Sequence, residues 1–225
     1  MITVKQFYFN DLRECCYVLS DESKECVIVD PGISTEREKT RLKEYISGNG
    51  LKPVKLLCTH GHFDHTMGNR FVTDTYGIPT YIHPEDKALL KVAKATSRLF
   101  DIYIDDPSLD TVDINDGDRI TFGNSFLNVI STPGHTWGSV IFYNEEEKIC
   151  LTGDTLFAGN CGRTDLPEGD SKAMCSSLVD KVARMIRHDA RIYPGHGPES
   201  TMLEELAHNP YLRKGTWLRF NMEDF

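Results

Sequence analysis

The 225-residue sequence predicts one domain of mixed α and β structure, with two β-sheets in its core and helices outside. Apolar, strand-like runs occur in two groups, and segments with helical periodicity follow each group. This order is typical of both α+β and α/β proteins, and the pattern alone does not choose between them. No linker rich in proline, glycine or serine divides the chain, so we expect a single domain over residues 1–225.

The first half begins with three strand-like runs joined by short turns, "ITVKQFYF", "CCYVLS" and "ECVIVD", which predict an antiparallel meander. A helix should follow, because Thr35 and Glu38 fit a capping box. Its apolar stripe comprises Leu42, Tyr45 and Ile46. The rest of this half predicts a strand over 54–58, a helix from about Asp64 to Tyr76, a strand in "IPTYIH", a helix over 84–98 and a loop over 99–118.

The second half repeats the pattern with three more strand-like runs, "SFLNVIST", "SVIFYN" and "KICLTGD". A helix capped by Asp170 or Ser171 should come next, because apolar residues recur there at helical spacing. A last strand in "RIYPGH" and a final helix over about 199–208 complete the predicted elements. The apolar face of the helix after Asp170 comprises Met174, Leu178, Val182, Met185 and Ile186.

The composition argues against several classes of protein. The formal net charge is −9 at pH 7, whereas a general nucleic-acid binder presents a basic face, so we expect no nucleic-acid partner. No apolar run approaches the ~18 residues of a membrane span, and the N-terminus lacks the pattern of a signal peptide. The seven cysteines form no C-x-x-C pair, which is typical of reduced core thiols. We therefore expect a cytoplasmic protein without membrane contact.

Residues that bind metals recur at the ends of four strand-like runs. Each apolar run passes into a turn that contains glycine, and a histidine or aspartate lies in that turn. Glycine permits the tight backbone turn, and strands that share a direction end at one edge of a sheet. The residues are His60, His62, Asp64 and His65 after "VKLLC", His135 after "FLNVIS", Asp154 after "KICLT" and His196 after "RIY".

Seven donor groups are too many for one ion, because a zinc ion takes three or four protein ligands. We therefore predict two divalent ions, with zinc as the first choice. Iron and manganese are the alternatives, because they also accept mixed His and Asp ligands. Alternation in an extended turn places His60 and His62 on one side, whereas the residues that enter the next helix point elsewhere. The predicted ligands are His60, His62 and His135 for one ion and Asp64, His65 and His196 for the other, with Asp154 shared by both.

These motifs resemble those of the metallo-β-lactamase superfamily. "THGHFDH", "TPGHTWGS", "LTGDTLF" and "YPGHG" stand in the order of that family, and "VIVDPG" near the start is also similar to it. The resemblance covers roughly residues 3–200. It implies an α+β fold of the αββα sandwich type, in which two mixed β-sheets pack face to face with helices outside. It also implies a dinuclear metal site at one edge of the sheets.

Within the superfamily, "GDTLFAGNCGRTDLPEGD" looks most like the glyoxalase II-like hydrolases, or hydroxyacylglutathione hydrolases, in their short bacterial form. That resemblance implies hydrolysis of a small-molecule thioester such as S-D-lactoylglutathione, by attack of a hydroxide that bridges two ions. A thiolate leaves readily, so no strong general acid is required. Asp64 is the predicted catalytic residue, because it would position or deprotonate the attacking water while binding its ion.

The sequence departs from the glyoxalase II pattern in the regions that bind substrate. Only 29 residues follow His196, where the full-length enzymes have a helical region that helps to bind glutathione. Arg163 stands where a lysine is usual, and Asp165 stands where a tyrosine is usual. We predict that Arg163 binds a substrate carboxylate through its guanidinium group. The alternative is an ion pair of Arg163 with Asp165 or Asp170.

Three other functions are left open by the sequence. "CGRTD" is also similar to the persulfide dioxygenases, which bind one iron through two histidines and an aspartate. This mononuclear oxygenase is the first alternative, although the continuation "LPEGD" favours the hydrolases. A β-lactamase and a non-catalytic metal-binding protein of the same fold are the other two.

Overall fold

The computed structural model describes residues 1–106 and 108–220, with only the backbone at residues 218–220. Residue 107 of the predicted 99–118 loop and residues 221–225 of the predicted domain lie outside the described residues.

The first of two six-stranded sheets comes from the first half of the chain. It contains, in spatial order, β1 (Thr3–Phe9), β2 (Glu14–Ser20), β3 (Glu25–Val29), β4 (Lys52–Leu57), β5 (Thr80–Ile82) and β6 (Thr111–Asp113). The first three strands pair antiparallel, so the predicted meander is confirmed. From β3 to β6 the pairing is parallel.

The remaining strands come from the second half of the chain. They are β7 (Arg119–Phe122), β8 (Ser125–Ser131), β9 (Val140–Asn144), β10 (Ile149–Gly153), β11 (Leu156–Phe157), β12 (Asn160–Cys161), β13 (Arg191–Pro194) and β14 (Ser200–Thr201). The second sheet has the order β14-β13-β10-β9-β8-β7, and β11 and β12 form a separate hairpin. Because β9 is antiparallel to β8 and β10, and β13 is parallel to β10, the strands β8, β10 and β13 share a direction.

Helices lie between and after these strands. They are α1 (Glu36–Gly48), α2 (Phe63–Thr66), α3 (Asn69–Tyr76), α4 (Lys87–Arg98), α5 (Ser171–Cys175), α6 (Ala183–Met185), α7 (Met202–His208) and α8 (Lys214–Phe220). The predicted capping box begins α1, since the Thr35 hydroxyl accepts from Glu38 N–H and the Glu38 carboxylate accepts from Thr35 N–H. A 3-10 turn, Pro84–Asp86, precedes α4 where the sequence predicted α-helix from residue 84.

The core has three apolar layers. The two sheets pack face to face through residues that include Val29, Leu57, Val129 and Phe142. Helices α1 and α3 cover the outer face of the first sheet, and the helical segment from α5 to α6 covers the outer face of the second. The order of layers is helix, sheet, sheet, helix, so the predicted αββα sandwich of the α+β class is confirmed.

The helix predicted over about 64–76 is wrong in its continuity, because the structure has two helices there, α2 and α3. The chain between them turns at Gly68, whose N–H donates to Pro31 O at 2.8 Å. A Cβ atom on residue 68 would lie 2.3 Å from that oxygen, so only glycine fits. The close contact with Pro31 therefore interrupts the helix.

The predicted helix after Asp170 contains a π-helical middle part, Ser176–Val182, which joins α5 to α6. Asp170 is the cap, since its carboxylate accepts from Ala173 N–H at 2.7 Å. A π-helix has a wider i→i+5 turn than an α-helix, so the buried face recurs here at every fourth residue. The prediction that Met185 belongs to this face is wrong, because Met185 is 54% exposed. The buried residues are Met174, Leu178, Val182 and Ile186.

The final predicted helix, over about 199–208, begins later than expected. Ser200 and Thr201 pair with β13 as β14, and Thr201 then caps α7 by accepting from Glu204 N–H. The strands β6, β7, β11, β12 and β14 were not predicted, because each has four residues or fewer, which is too short for a clear pattern. β6 lies within the segment 99–118 that was predicted as a loop.

The cysteines and the lengths of the helices bear on the predictions made from composition. All seven cysteines are free, and five of them are buried, as expected for core thiols. Among residues 1–106 and 108–220, no helix has the length and apolar character needed to cross a membrane.

Candidate metal centre

The donor residues of the sequence motifs meet at one edge of the sandwich. His60 follows β4 of the first sheet, whereas His135, Asp154 and His196 follow the three strands of the second sheet that share a direction. Strands that share a direction end at the same edge, so residues distant in sequence become neighbours there. The structure brings all seven predicted donor residues together.

Three of these residues, His60, His62 and His135, form a group that we call the three-histidine cluster. His60 Nε2 lies 3.1 Å from His62 Nδ1, and the rings of His62 and His135 are 4.5 Å apart between centroids. His60 and His135 are buried. One ion could contact all three nitrogens, because Zn–N bonds are about 2.0–2.1 Å long.

Asp64, His65 and His196 form a second group, which we call the mixed cluster. His65 Nε2 and His196 Nε2 are 3.2 Å apart, and Asp64 Oδ2 lies 3.3 Å from His196 Nε2. His65 is fully buried, whereas the other two side chains are partly exposed. Both groups of donors named from the sequence are thus present in the structure, and the assignment of each group to its own ion stays a prediction.

Asp154 lies between the two clusters. Its Oδ1 is 3.4 Å from His65 Nε2 of the mixed cluster, and its Oδ2 is 3.4 Å from His135 Nε2 of the three-histidine cluster. Asp154 Oδ1 and His135 Nε2 are buried and have no hydrogen-bond partner among the described residues. A buried polar atom without a partner costs about 1–3 kcal/mol, and a bound cation would remove that cost. The donor set and these two atoms therefore fit a divalent ion on each side of Asp154.

Gly195 permits the close approach of β13 to this aspartate. A Cβ atom on residue 195 would lie 2.2 Å from Asp154 Oδ1 and 2.7 Å from His65 Cε1. The glycine of the "YPGH" motif is thus required by the space at the centre.

Backbone carbonyls fix the ring nitrogens of two histidines. His135 Nδ1 donates to Arg163 O at 2.8 Å, and His196 Nδ1 donates to Leu12 O at 3.2 Å. A carbonyl oxygen can only accept, so in each neutral ring the proton is on Nδ1. The lone pair on Nε2 then faces the centre, as metal binding requires.

Glu168 fixes the orientation of His62. Its Oε1 lies 2.7 Å from His62 Nε2, and both side chains are partly buried. The His62 atom that faces the three-histidine cluster is therefore Nδ1. A carboxylate behind a metal-binding histidine also makes that histidine a stronger donor.

Asp30 links residues of the two clusters. Its carboxylate accepts from Thr59 N–H at 2.8 Å and from the Thr59 hydroxyl at 2.6 Å, and it also contacts His65 Nδ1 at 3.2 Å. The same hydroxyl oxygen lies 3.1 Å from His60 Nδ1. Asp30 is close enough to His60 and His65 to form a third possible group of donors. Because both of its oxygens already accept hydrogen bonds, we assign it an orienting role.

Asp86 joins the loops that carry the three-histidine cluster. Its carboxylate accepts from Gly61 N–H at 2.8 Å, Gly138 N–H at 2.8 Å and the Thr136 hydroxyl at 2.7 Å, and it is 1% exposed. Gly61 lies between His60 and His62, and Thr136 follows His135. The buried carboxylate therefore holds loops from the two sheets at a fixed separation.

The two clusters differ in their electrostatics. Burial and the neighbouring His65 hold the pKa of His60 well below its usual range. Burial also lowers the pKa of His65, but three carboxylates outweigh it and raise that pKa to about 10. These carboxylates belong to Asp154, Asp64 and Asp30. His60 of the three-histidine cluster is thus held as a neutral imidazole, whereas His65 of the mixed cluster lies among carboxylates, a negative environment that favours cations.

A groove of about 640 Å³ opens over the centre, and Arg163 lies at its edge. The Arg163 guanidinium forms two hydrogen bonds to Asp165, of 2.7 and 2.8 Å. This ion pair raises the pKa of Arg163 and lowers that of Asp165 to about 2. The alternative expectation, a pair with Asp165, is therefore present in the structure. Substrate binding by Arg163 stays a prediction.

Three residues at the centre were not predicted: Asp30, Asp86 and Glu168. Asp30 directly follows β3, so the strand-end pattern that identified the other donors would have found it. Asp86 lies within a helical segment and Glu168 lies in a loop, so neither follows a strand. Their role depends on contacts with residues far away in the sequence, which no local pattern records.

The sequence matches the metallo-beta-lactamase superfamily over residues 13–196. The chain therefore belongs to this superfamily, in agreement with the fold and the donor set described above.

Relatives with known structures or assigned activities match nearly the whole chain. The hydroxyacylglutathione hydrolase GloC of Haemophilus influenzae is 32% identical over 202 residues, which are 89% of this chain and 93% of that protein. The structure of the BLEG-1 B3 metallo-beta-lactamase is 33% identical with a TM-score of 0.82, over 93% of this chain and 99% of the other. The structure of TTHA1623 in a di-iron-bound form is 34% identical with a TM-score of 0.83, over 93% of this chain and 100% of the other.

Proposed function

We propose that this protein is a metal-dependent hydrolase that cleaves a thioester such as S-D-lactoylglutathione, with two divalent ions at the centre. The observation that carries the proposal is the position of Asp154. Its two oxygens face different clusters, and one of them has no hydrogen-bond partner among the described residues. Six donor side chains around one shared carboxylate exceed the needs of a single ion and suit two.

The bound ions would supply a hydroxide as the nucleophile and would polarise the thioester carbonyl. The residues of the chain perform the other tasks. Asp64 lines the groove and holds its place beside His196, so its carboxylate can orient the attacking water. The carbonyls of Arg163 and Leu12 keep His135 and His196 in the tautomer that binds metal. No general acid is needed, because a thiolate leaves without prior protonation.

The similarity to GloC supports the choice of a thioester, because that relative is named as a hydroxyacylglutathione hydrolase. The similarity to BLEG-1 is a reason to include a cephalosporin among the test substrates. We propose zinc as the metal, and the di-iron form of TTHA1623 is a reason to test iron as well as manganese.

The experiment is metal quantitation alongside a substrate panel. The protein is loaded separately with zinc, iron and manganese and assayed on S-D-lactoylglutathione, other thioesters, a cephalosporin and glutathione persulfide. We expect two ions per chain and thioester hydrolysis. One iron per chain with oxygen uptake on the persulfide would instead support the mononuclear dioxygenase. Hydrolysis of the cephalosporin alone would support a β-lactamase.

A further inference from the structure

One wall of the groove is formed by an exposed apolar face of α4 and the residues that follow it. The buried face of α4 consists of Leu90, Ala93 and Ser97. A second set of residues recurs at spacings of three and four and lines the groove instead. This groove-facing set is Leu89, Val92, Thr96 and Leu99, followed by Phe100.

These side chains are more exposed than the fold requires. Val92 is 47% exposed, Leu99 83% and Phe100 57%. Phe63 extends the wall towards the centre, since its ring lies 5.2 Å from that of Phe100. Contiguous exposed apolar surface beside a reactive centre is typical of a ligand-binding wall.

The groove is also lined by residues that add apolar surface and no unpaired charge. Leu166 and Pro167 line it, next to Arg163 and Glu168. Arg163 is paired with Asp165, and Glu168 contacts His62. Among the described lining residues, the other ionisable groups all belong to the two clusters or to Asp154. The groove lining outside the metal centre is therefore mostly apolar.

We propose that the groove binds an apolar arm attached to the thioester, so that the preferred substrates are thioesters with an aliphatic or aromatic chain. The inference rests on the proposed thioester hydrolysis and names the substrate class for the same centre. The apolar arm of the substrate would lie along Val92, Leu99 and Phe100 while the thioester group reaches the metal centre. The arm could belong to the acid or to the thiol, and the chemistry of recognition is the same.

Two matched substrate series test this proposal with the metal-loaded protein. One series lengthens the acyl chain from acetyl to octanoyl on glutathione, and the other lengthens the alkanethiol in acetyl thioesters. Burial of one methylene favours binding by about fourfold, so we expect kcat/KM to rise about two- to fourfold per methylene in at least one series. Values that do not change with chain length in both series would overturn the inference.

Substitutions in the wall provide the second readout. Val92→Asn and Leu99→Asn should flatten the dependence of kcat/KM on the length of the substrate's apolar arm, because each replaces apolar wall surface with an amide. Leu203→Asn, at an exposed leucine on α7 outside the groove lining, is the matched control and should keep the dependence. If kcat/KM depends on the length of the apolar arm as strongly in both wall variants as in the unaltered protein, the arm binds elsewhere. Hydrolysis of no thioester at all would overturn the proposed function together with this inference.

Discussion

The three-histidine cluster and the mixed cluster lie on either side of Asp154, yet they are held in different ways. The three-histidine cluster takes donors from loops of both sheets, and Asp86 ties those loops together. The mixed cluster is held by Asp30 beneath His65 and by the carbonyl of Leu12 behind His196. Its carboxylates also give it more negative charge. We therefore expect the mixed cluster to bind the first ion and the three-histidine cluster to depend more on loop geometry.

The largest effect is expected for Asp154→Ala, which removes the residue whose two oxygens face different clusters. Metal content should fall from two ions to one or fewer. Hydrolysis should fall by more than about 100-fold, the upper range for the loss of a residue that only supports a ligand. Metal analysis and thioester assays measure both effects, with Asp189→Ala at the surface as the control. An active variant that retains two ions would show that Asp154 is not shared.

Substitutions within one cluster should separate the two ions. His135→Ala should leave about one ion bound at the mixed cluster, and Asp64→Ala should leave about one at the three-histidine cluster, each with little hydrolysis. In a titration with limiting zinc, His135→Ala should retain the tighter ion because the mixed cluster carries more negative charge. Equal affinities in the two variants, or tighter binding by Asp64→Ala, would contradict the proposed difference.

Asp86→Asn tests whether loop geometry matters to the three-histidine cluster. An amide provides one acceptor oxygen where the carboxylate provides two, so at least one buried donor loses its partner. We expect the free energy of unfolding to fall by about 2–4 kcal/mol. The affinity for the second ion should fall as well. Denaturant unfolding of the metal-free variant measures the change in the free energy of unfolding separately from metal binding. Asp30→Asn should instead weaken ion binding at the mixed cluster. Unchanged stability would mean that the loops hold each other without Asp86.

The smallest effect is expected for Glu168→Gln, which keeps the shape of the side chain but removes its charge behind His62. Loss of such a supporting carboxylate weakens metal affinity by about 10-fold. The change should be confined to the ion at the three-histidine cluster. Glu199→Gln, which breaks a surface pair with Arg191, is the matched control and should leave both ions unchanged. A loss of both ions in Glu168→Gln would assign Glu168 a wider role.

The sequence could predict the elements whose signals are local. The capping box of Thr35 and Glu38 and the strand-end positions of the seven donor residues follow from spacing within a few residues. The break at Gly68 could not be predicted, because its cause is a contact with Pro31 on a distant loop. The exposure of Met185 also could not be predicted, since a π-helical segment looks α-helical in sequence. Asp86 and Glu168 acquire their importance only after the two sheets have packed.

The hydrogen bond from His196 Nδ1 to Leu12 O joins residues 184 positions apart, and Glu14 forms an isolated bridge with His196. During synthesis, a nascent chain that has emerged only as far as Asp154 contains the three-histidine cluster but lacks the last donor of the other. Contacts over such a sequence distance form late and slow the folding of a domain. An ion at the mixed cluster would therefore acquire all of its proposed ligands only after Leu12 and His196 have met, and its retention would report that folding is complete.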